Sequence, residues 1–156
     1  MTKNKLIIWG YWVEIILALT IWFLIWFYNL EQPIREGLVS SPNLFGSGLF
    51  GALVCTLGII WFLMNQINGE FGSYLHHTKN ETLFTTGFKF QCMLIFITSL
   101  LCYSVNLFKE QYFLNLIIFA IIFSTVNLCT CIMNAFDIFK LKRKFEYEMK
   151  KIESSK

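Results

Sequence analysis

Charge is what this chain lacks most: Asp, Glu, Lys and Arg make up only 15% of its 156 residues, against about a quarter in soluble domains. Proline occurs twice and glycine nine times, which excludes collagen-like repeats and the low-complexity composition of disordered chains. Histidine is confined to the adjacent pair His76 and His77, which diverge by roughly 100° on a helix and so make poor joint metal ligands. No phosphate-binding glycine loop, nucleophile–base arrangement or pair of catalytic carboxylates can be found. The chain therefore reads as non-enzymatic, with no cofactor and no metal. A net charge of +3 implies no nucleic-acid partner.

Apolar residues fill the space that charge leaves. Hydrophobic side chains make up 56% of the chain and aromatic ones 18%, with 17 Phe, and the mean hydropathy is +0.56. These values place the protein in the membrane class. Cys55, Cys92, Cys102, Cys129 and Cys131 all fall inside apolar runs, where cysteine behaves as a small hydrophobe. Cys129 and Cys131 are two apart, so they point roughly 200° apart on a helix.

Four apolar runs divide the chain, at about 6–30, 44–67, 88–107 and 112–136. The first is interrupted by a single ionisable residue, Glu14. At ~1.5 Å per residue each run approaches or exceeds the ~30 Å of a bilayer's hydrocarbon core. The first is also too long for the ~7–15-residue core of a signal peptide, and it is expected to be retained. The expected fold is an all-α membrane protein, a four-transmembrane-helix bundle over 1–136, followed by a cytoplasmic basic amphipathic helix over 137–156. In that tail Ile138, Leu141, Phe145, Met149 and Ile152 continue an apolar stripe at helical spacing, and Glu146 can pair with Lys150.

The connections differ in character. Residues 31–43 hold both prolines and a Ser-Ser pair and read as a loop. Residues 68–87 read as a second loop with room for one short helix. Asn80-Glu81-Thr82 within it matches the glycosylation acceptor pattern, which needs a lumenal location and is argued against by the cytoplasmic side that the basic residues give this region. FKEQ at 108–111 is a tight turn that makes the third and fourth spans an antiparallel pair. In the second run, small residues recur every fourth position: Ser47, Gly51 and Cys55 on one ridge, Gly48, Ala52 and Thr56 on its neighbour. Such ridges let another helix approach closely, which suits a packing face inside the bundle or a subunit interface.

Lys and Arg fix the expected orientation. Eleven of the 13 fall at the N-terminus, in the 68–87 region with Lys89, and in the tail, whereas Arg35 and Lys109 fall on the opposite side. By the positive-inside rule both termini are cytoplasmic, in the inner (plasma) membrane. Glu14 then lies about 12 Å into the first helix, level with Thr130 on the fourth. Gln91, Thr98, Cys102 and Asn106 share one face of the third span; Ser124, Asn127, Cys131 and Asn134 share one face of the fourth. An intramembrane polar cluster of Glu14, Gln91, Thr98, Asn127 and Asn134 is therefore geometrically allowed. With no basic residue at that depth, Glu14 is expected to be protonated and hydrogen-bonded.

Two functions suit this pattern. One is protein–protein contact within the membrane, with a partner protein or by self-association. In build the chain is similar to bacteriocin immunity and conjugal or phage exclusion proteins, and accessory subunits share the same plan. The other is a small oligomeric ion or proton channel or transporter that uses Glu14. Small multidrug transporters also carry a glutamate in the first of four short helices, but the long tail and aromatic first helix here depart from that family.

Overall fold

A computed structural model describes residues 11–67, 69–77, 80–108 and 110–153. Among them the only regular structure is helical: α1 Tyr11–Phe27, α2 Glu31–Ser40, α3 Pro42–Gln66, α4 Glu70–His77, α5 Asn80–Ser104 and α6 Gln111–Glu153. The beginning of the first expected span, with Lys3, Lys5 and Trp9, lies outside the described residues, as do Lys79 and Lys109. Three helical stretches are long and apolar enough to cross a membrane: Pro42–Asn65, Thr85–Ser104 and Gln111–Ile152. A fourth candidate is the bent pair Trp12–Phe27 and Glu31–Ser40, whose axes meet at 101°.

The bend has a local cause. Asn29 takes φ 53°, in the left-handed region that Asn tolerates better than other residues with a Cβ. The amide of Leu30 donates to the carbonyl of Ile25, and that of Asn29 to Trp26, the paired bonds of a Schellman helix end. The chain re-enters a helix at once, with the Ile34 amide donating to the Leu30 carbonyl. Residues 31–40 are thus helical, which corrects the loop expected there. Pro33 stands in the first turn of α2 and Pro42 opens α3, positions whose amide protons a helix does not use. Intrahelical contacts reinforce α2: the Arg35 guanidinium pairs with Glu31 and the Gln32 amide with Glu36, each at i,i+4.

α2 lies across one end of the bundle. Its Leu38 is fully buried among Cys102 and Val105 at the end of α5 and Leu114, Ile117 and Ile118 at the start of α6. α4 does the same at the opposite end. Phe71 and Leu75 pack with Leu63 of α3, Phe88 of α5 and Cys131, Ala135 and Ile138 of α6. Gly69, at φ 74°, provides the left-handed turn into α4 that a side chain would disfavour. The 68–87 region therefore holds one short helix, as allowed, and α5 begins at Asn80, before the expected start at 88.

α3 and α5 form the most extensive helix pair, and α6 packs on α5. α1 rests mainly on α6, through a seam that includes fully buried Ala18 and an edge-to-face contact of Trp22 with Phe119. α6 runs unbroken for 43 residues, about 65 Å. Its later part packs Leu141 and Phe145 against the α4 cluster, while Tyr147 and Ile152 are exposed. Glu146 pairs with Lys142, four residues before it, at 3.9 Å.

Candidate functional site

Six of the buried polar side chains form two hydrogen-bonded groups, both anchored on α6, while buried Thr56 and Ser99 bond to backbone carbonyls of α3. In the first, Glu14 of α1 is buried, and the Thr130 hydroxyl lies 2.5 Å from its Oε1. That hydroxyl is also 2.9 Å from the Asn127 carbonyl. In the second group, on the α5–α6 seam, the Thr98 hydroxyl donates to the Leu94 carbonyl and lies 2.8 Å from Ser124 Oγ. One donation per hydroxyl then has Ser124 donating to Thr98. The Gln91 amide reaches the Ser124 carbonyl at 3.3 Å. All seven of these residues except Leu94 are polar, and the polar six are buried.

The geometry of α6 explains the division. Ser124 and Thr130 are six residues apart, roughly 120° around the helix, so they address different neighbours. Asn127 sits between these directions, and its side-chain amide donates to the Phe123 carbonyl of its own helix. Among the residues of the expected cluster, the structure joins Gln91 and Thr98 through Ser124, and Glu14 to α6 through Thr130. Asn134 is half-buried a turn further on, and no side-chain bond from it to either group occurs among the described residues. Thr130 matches Glu14 in depth but lies off the Ser124–Asn134 face, so helical periodicity alone passes over it.

Proton accounting limits what the Glu14 group can do. Thr130 has one proton and two oxygens within reach of it. A carboxyl that carries its own proton completes a chain, from Glu14 O–H to Thr130 Oγ and from Thr130 O–H to the Asn127 carbonyl. An ionised carboxylate takes the Thr130 proton and leaves that carbonyl without it. Glu14 Oε2 and Gln91 Oε1 are buried without a partner, so each seam retains one unused acceptor.

The small residues of α3 are placed differently from the polar ones. Ser47, Gly48, Gly51 and Cys55 are exposed and Ala52 is half-buried. A Cβ added at Gly48 or Gly51 would meet open space. The close approach of α3 to α5 is made instead at Gly46, where an added Cβ would come within 2.9 Å of the Tyr103 ring. There the Ser99 hydroxyl donates to the Gly46 carbonyl at 2.9 Å, and Ser47 Oγ lies 3.2 Å from the Tyr103 hydroxyl.

At the α2 end, Arg35 donates to Glu31 and, at 2.9 Å, to Asn115 of α6. This cation thus ties α2 to the bundle. His76 and His77 are exposed on α4, and among the described residues no three His, Cys, Asp or Glu side chains are grouped to hold a metal. Comparison with protein-family models, curated proteins and solved structures finds no significant match.

Proposed function

We propose that this is a small multi-pass inner-membrane protein that acts through protein–protein contact in the bilayer rather than by catalysis. Immunity, exclusion and accessory-subunit proteins are the functional types with this build. In this reading the chain crosses four times, with both termini cytoplasmic, and the α6 extension reaches into the cytosol. The observation that carries the proposal is the exposed small-residue face of α3. Gly48, Gly51, Cys55 and Gly58 follow at steps of three, four and three, all exposed. The bundle's own α3–α5 approach uses Gly46 instead. Interfaces between membrane helices are enriched in such residues because backbones can come close there.

Cys55 makes this face testable in the native membrane. In a variant whose other four cysteines are replaced, a thiol-anchored photocrosslinker on Cys55, which needs no thiol on the partner, is expected to give a discrete product, either a second copy or a partner identified by mass spectrometry. Gly51→Leu on the same background should suppress it. Absence of any Cys55 product while the protein is folded and inserted would sink the reading.

A second reading, a small oligomeric proton or cation pathway, is favoured by one feature: Glu14 is buried with Oε2 unpartnered, and intramembrane carboxyls commonly mark ion routes. Purified protein in liposomes should then show flux that Glu14→Gln removes. Equal flux in wild type and variant would leave Glu14 as a structural acid on the α1–α6 seam.

A further inference from the structure

Toward the α4 end, α3 and α5 line a groove of about 620 Å³, within the ~300–1,000 Å³ range of small-molecule sites. Buried Leu63 and Phe88 and exposed Leu57, Met64 and Met93 are among the residues that line it. From Leu57 to Ile67 the groove follows ten residues of α3, about 15 Å, or half of the ~30 Å hydrocarbon core. Among the described residues its lining is apolar apart from Thr85 and Lys89. Lys89 is exposed, and no carboxylate pairs with it among the described residues. It stands four residues inside the apolar stretch that begins at Thr85, about 6 Å, a distance over which a lysine stem can carry its ammonium toward the interface.

We propose that this groove binds an anionic glycerophospholipid, with one acyl chain along the α3–α5 cleft and the headgroup phosphate on Lys89 Nζ. Three features select that occupant. A one-leaflet length suits an acyl chain. The walls offer few polar groups to satisfy a peptide backbone, which in an apolar site would otherwise remain unpaired. The single cation sits on the groove itself, and basic sites between membrane helices recognise lipid phosphates. The proposal stands independently of the α3 small-residue face, which is a different surface of the helix.

Native mass spectrometry of delipidated protein with added dioleoyl phosphatidylglycerol or dioleoyl phosphatidylcholine tests it. Wild type should retain one phosphatidylglycerol, preferred over phosphatidylcholine about fivefold, the ratio expected when one lysine meets a lipid of net negative charge and not one whose phosphate is neutralised by its own choline cation. Lys89→Gln should remove the preference while phosphatidylcholine still binds, and Lys89→Arg should keep it. Met93→Trp, which fills the groove from an exposed position, should weaken both lipids in protein whose helical content is unchanged. An unaltered preference in Lys89→Gln overturns the headgroup assignment. Undiminished binding in Met93→Trp removes the acyl chain from the groove. Loss of the preference on replacing Lys140, Arg143 and Lys144 with Gln, with Lys89 intact, assigns the lipid to the α6 extension and overturns the proposal.

Discussion

Against α5, α6 sets Ser124 beside Gln91 and Thr98, and α3 and α4 close around α5 from its other sides. Against α1, α6 sets Thr130 beside Glu14, while Trp12, Ile16, Phe23 and Trp26 of α1 face outward and are exposed. The same sort of contact thus works under opposite constraints. The α5–α6 seam is fixed by three neighbours, and a lost hydrogen bond there leaves the helix held. The α1–α6 seam is one-sided, so the Glu14–Thr130 contact, Ala18 and Trp22 carry much of its specificity. In a bilayer, where apolar burial drives little association between helices, packing and hydrogen bonds decide such seams.

The largest expected effect tests whether the α3–α5–α6 core is as fixed as this contrast requires. Ile95 on α5 is 1% exposed, whereas Ile16 on α1 is 60% exposed. Ile95→Ala should cost about 2–4 kcal/mol, because it opens a cavity between packed helices. Ile16→Ala should cost no more than about 0.5 kcal/mol, as surface substitutions usually do. Denaturant unfolding in micelles measures both, and equal losses would erase the distinction between the seams.

Within α3, two glycines sharpen the comparison. Gly46→Ala pushes a methyl against the Tyr103 ring, and overpacking of this kind costs about 1–3 kcal/mol. Gly51→Ala enters open space and should stabilise the monomer slightly, since alanine exceeds glycine in helix propensity by up to about 1 kcal/mol. Thermal unfolding of the two variants should move in opposite directions. A joint loss would mean that Gly51 is packed against something in the folded monomer.

A double-mutant cycle compares the polar contacts themselves. Glu14→Ala with Thr130→Val should give a coupling of about 0.6–2 kcal/mol, the range for hydrogen bonds between membrane helices. Glu14→Gln should retain much of it, since the Gln amide can donate to Thr130 Oγ as the neutral acid does. If Gln is as damaging as Ala, the contact depends on the negative charge, and the proton accounting for the Asn127 carbonyl fails.

How much of this was legible beforehand depends on what kind of information each feature carries. α3, α5 and α6 follow from long apolar runs, which dictate both helix and length. α2 does not, because Pro33, Pro42 and the Ser-Ser pair are turn residues by composition. Their meaning changes once each proline is seen in the first turn of a helix. Depth counting brings Glu14 level with Thr130, a relation set by rise per residue alone. The partition into two groups is different in kind: it requires knowing that α1 and α5 approach α6 from directions roughly 120° apart, which no single helix's periodicity encodes. The small residues of α3 show the same limit. Ser47, Gly48, Gly51, Ala52 and Cys55 mark a surface where a backbone can come close, but whether the neighbour is α5 or another molecule depends on how the helices are arranged. Gly46, one residue upstream, is where α5 comes.

The smallest expected effect lies at the corner that lets α1 stand apart from the core. Asn29 is the residue in left-handed conformation that turns α1 into α2, and Leu38 then anchors α2 where α5 ends and α6 begins. Asn29→Gly should change stability by only a few tenths of a kcal/mol, because glycine adopts this conformation without a Cβ penalty and loses some chain entropy in exchange. Asn29→Ala should cost about 1 kcal/mol, near the lower end of the left-handed penalty for a residue with a Cβ. Since the corner touches neither seam, the Ala variant should leave the Glu14–Thr130 coupling unchanged. A coupling that falls along with Asn29 would mean that α1 is positioned by its corner as much as by α6, and the one-sided picture of that seam would have to be given up.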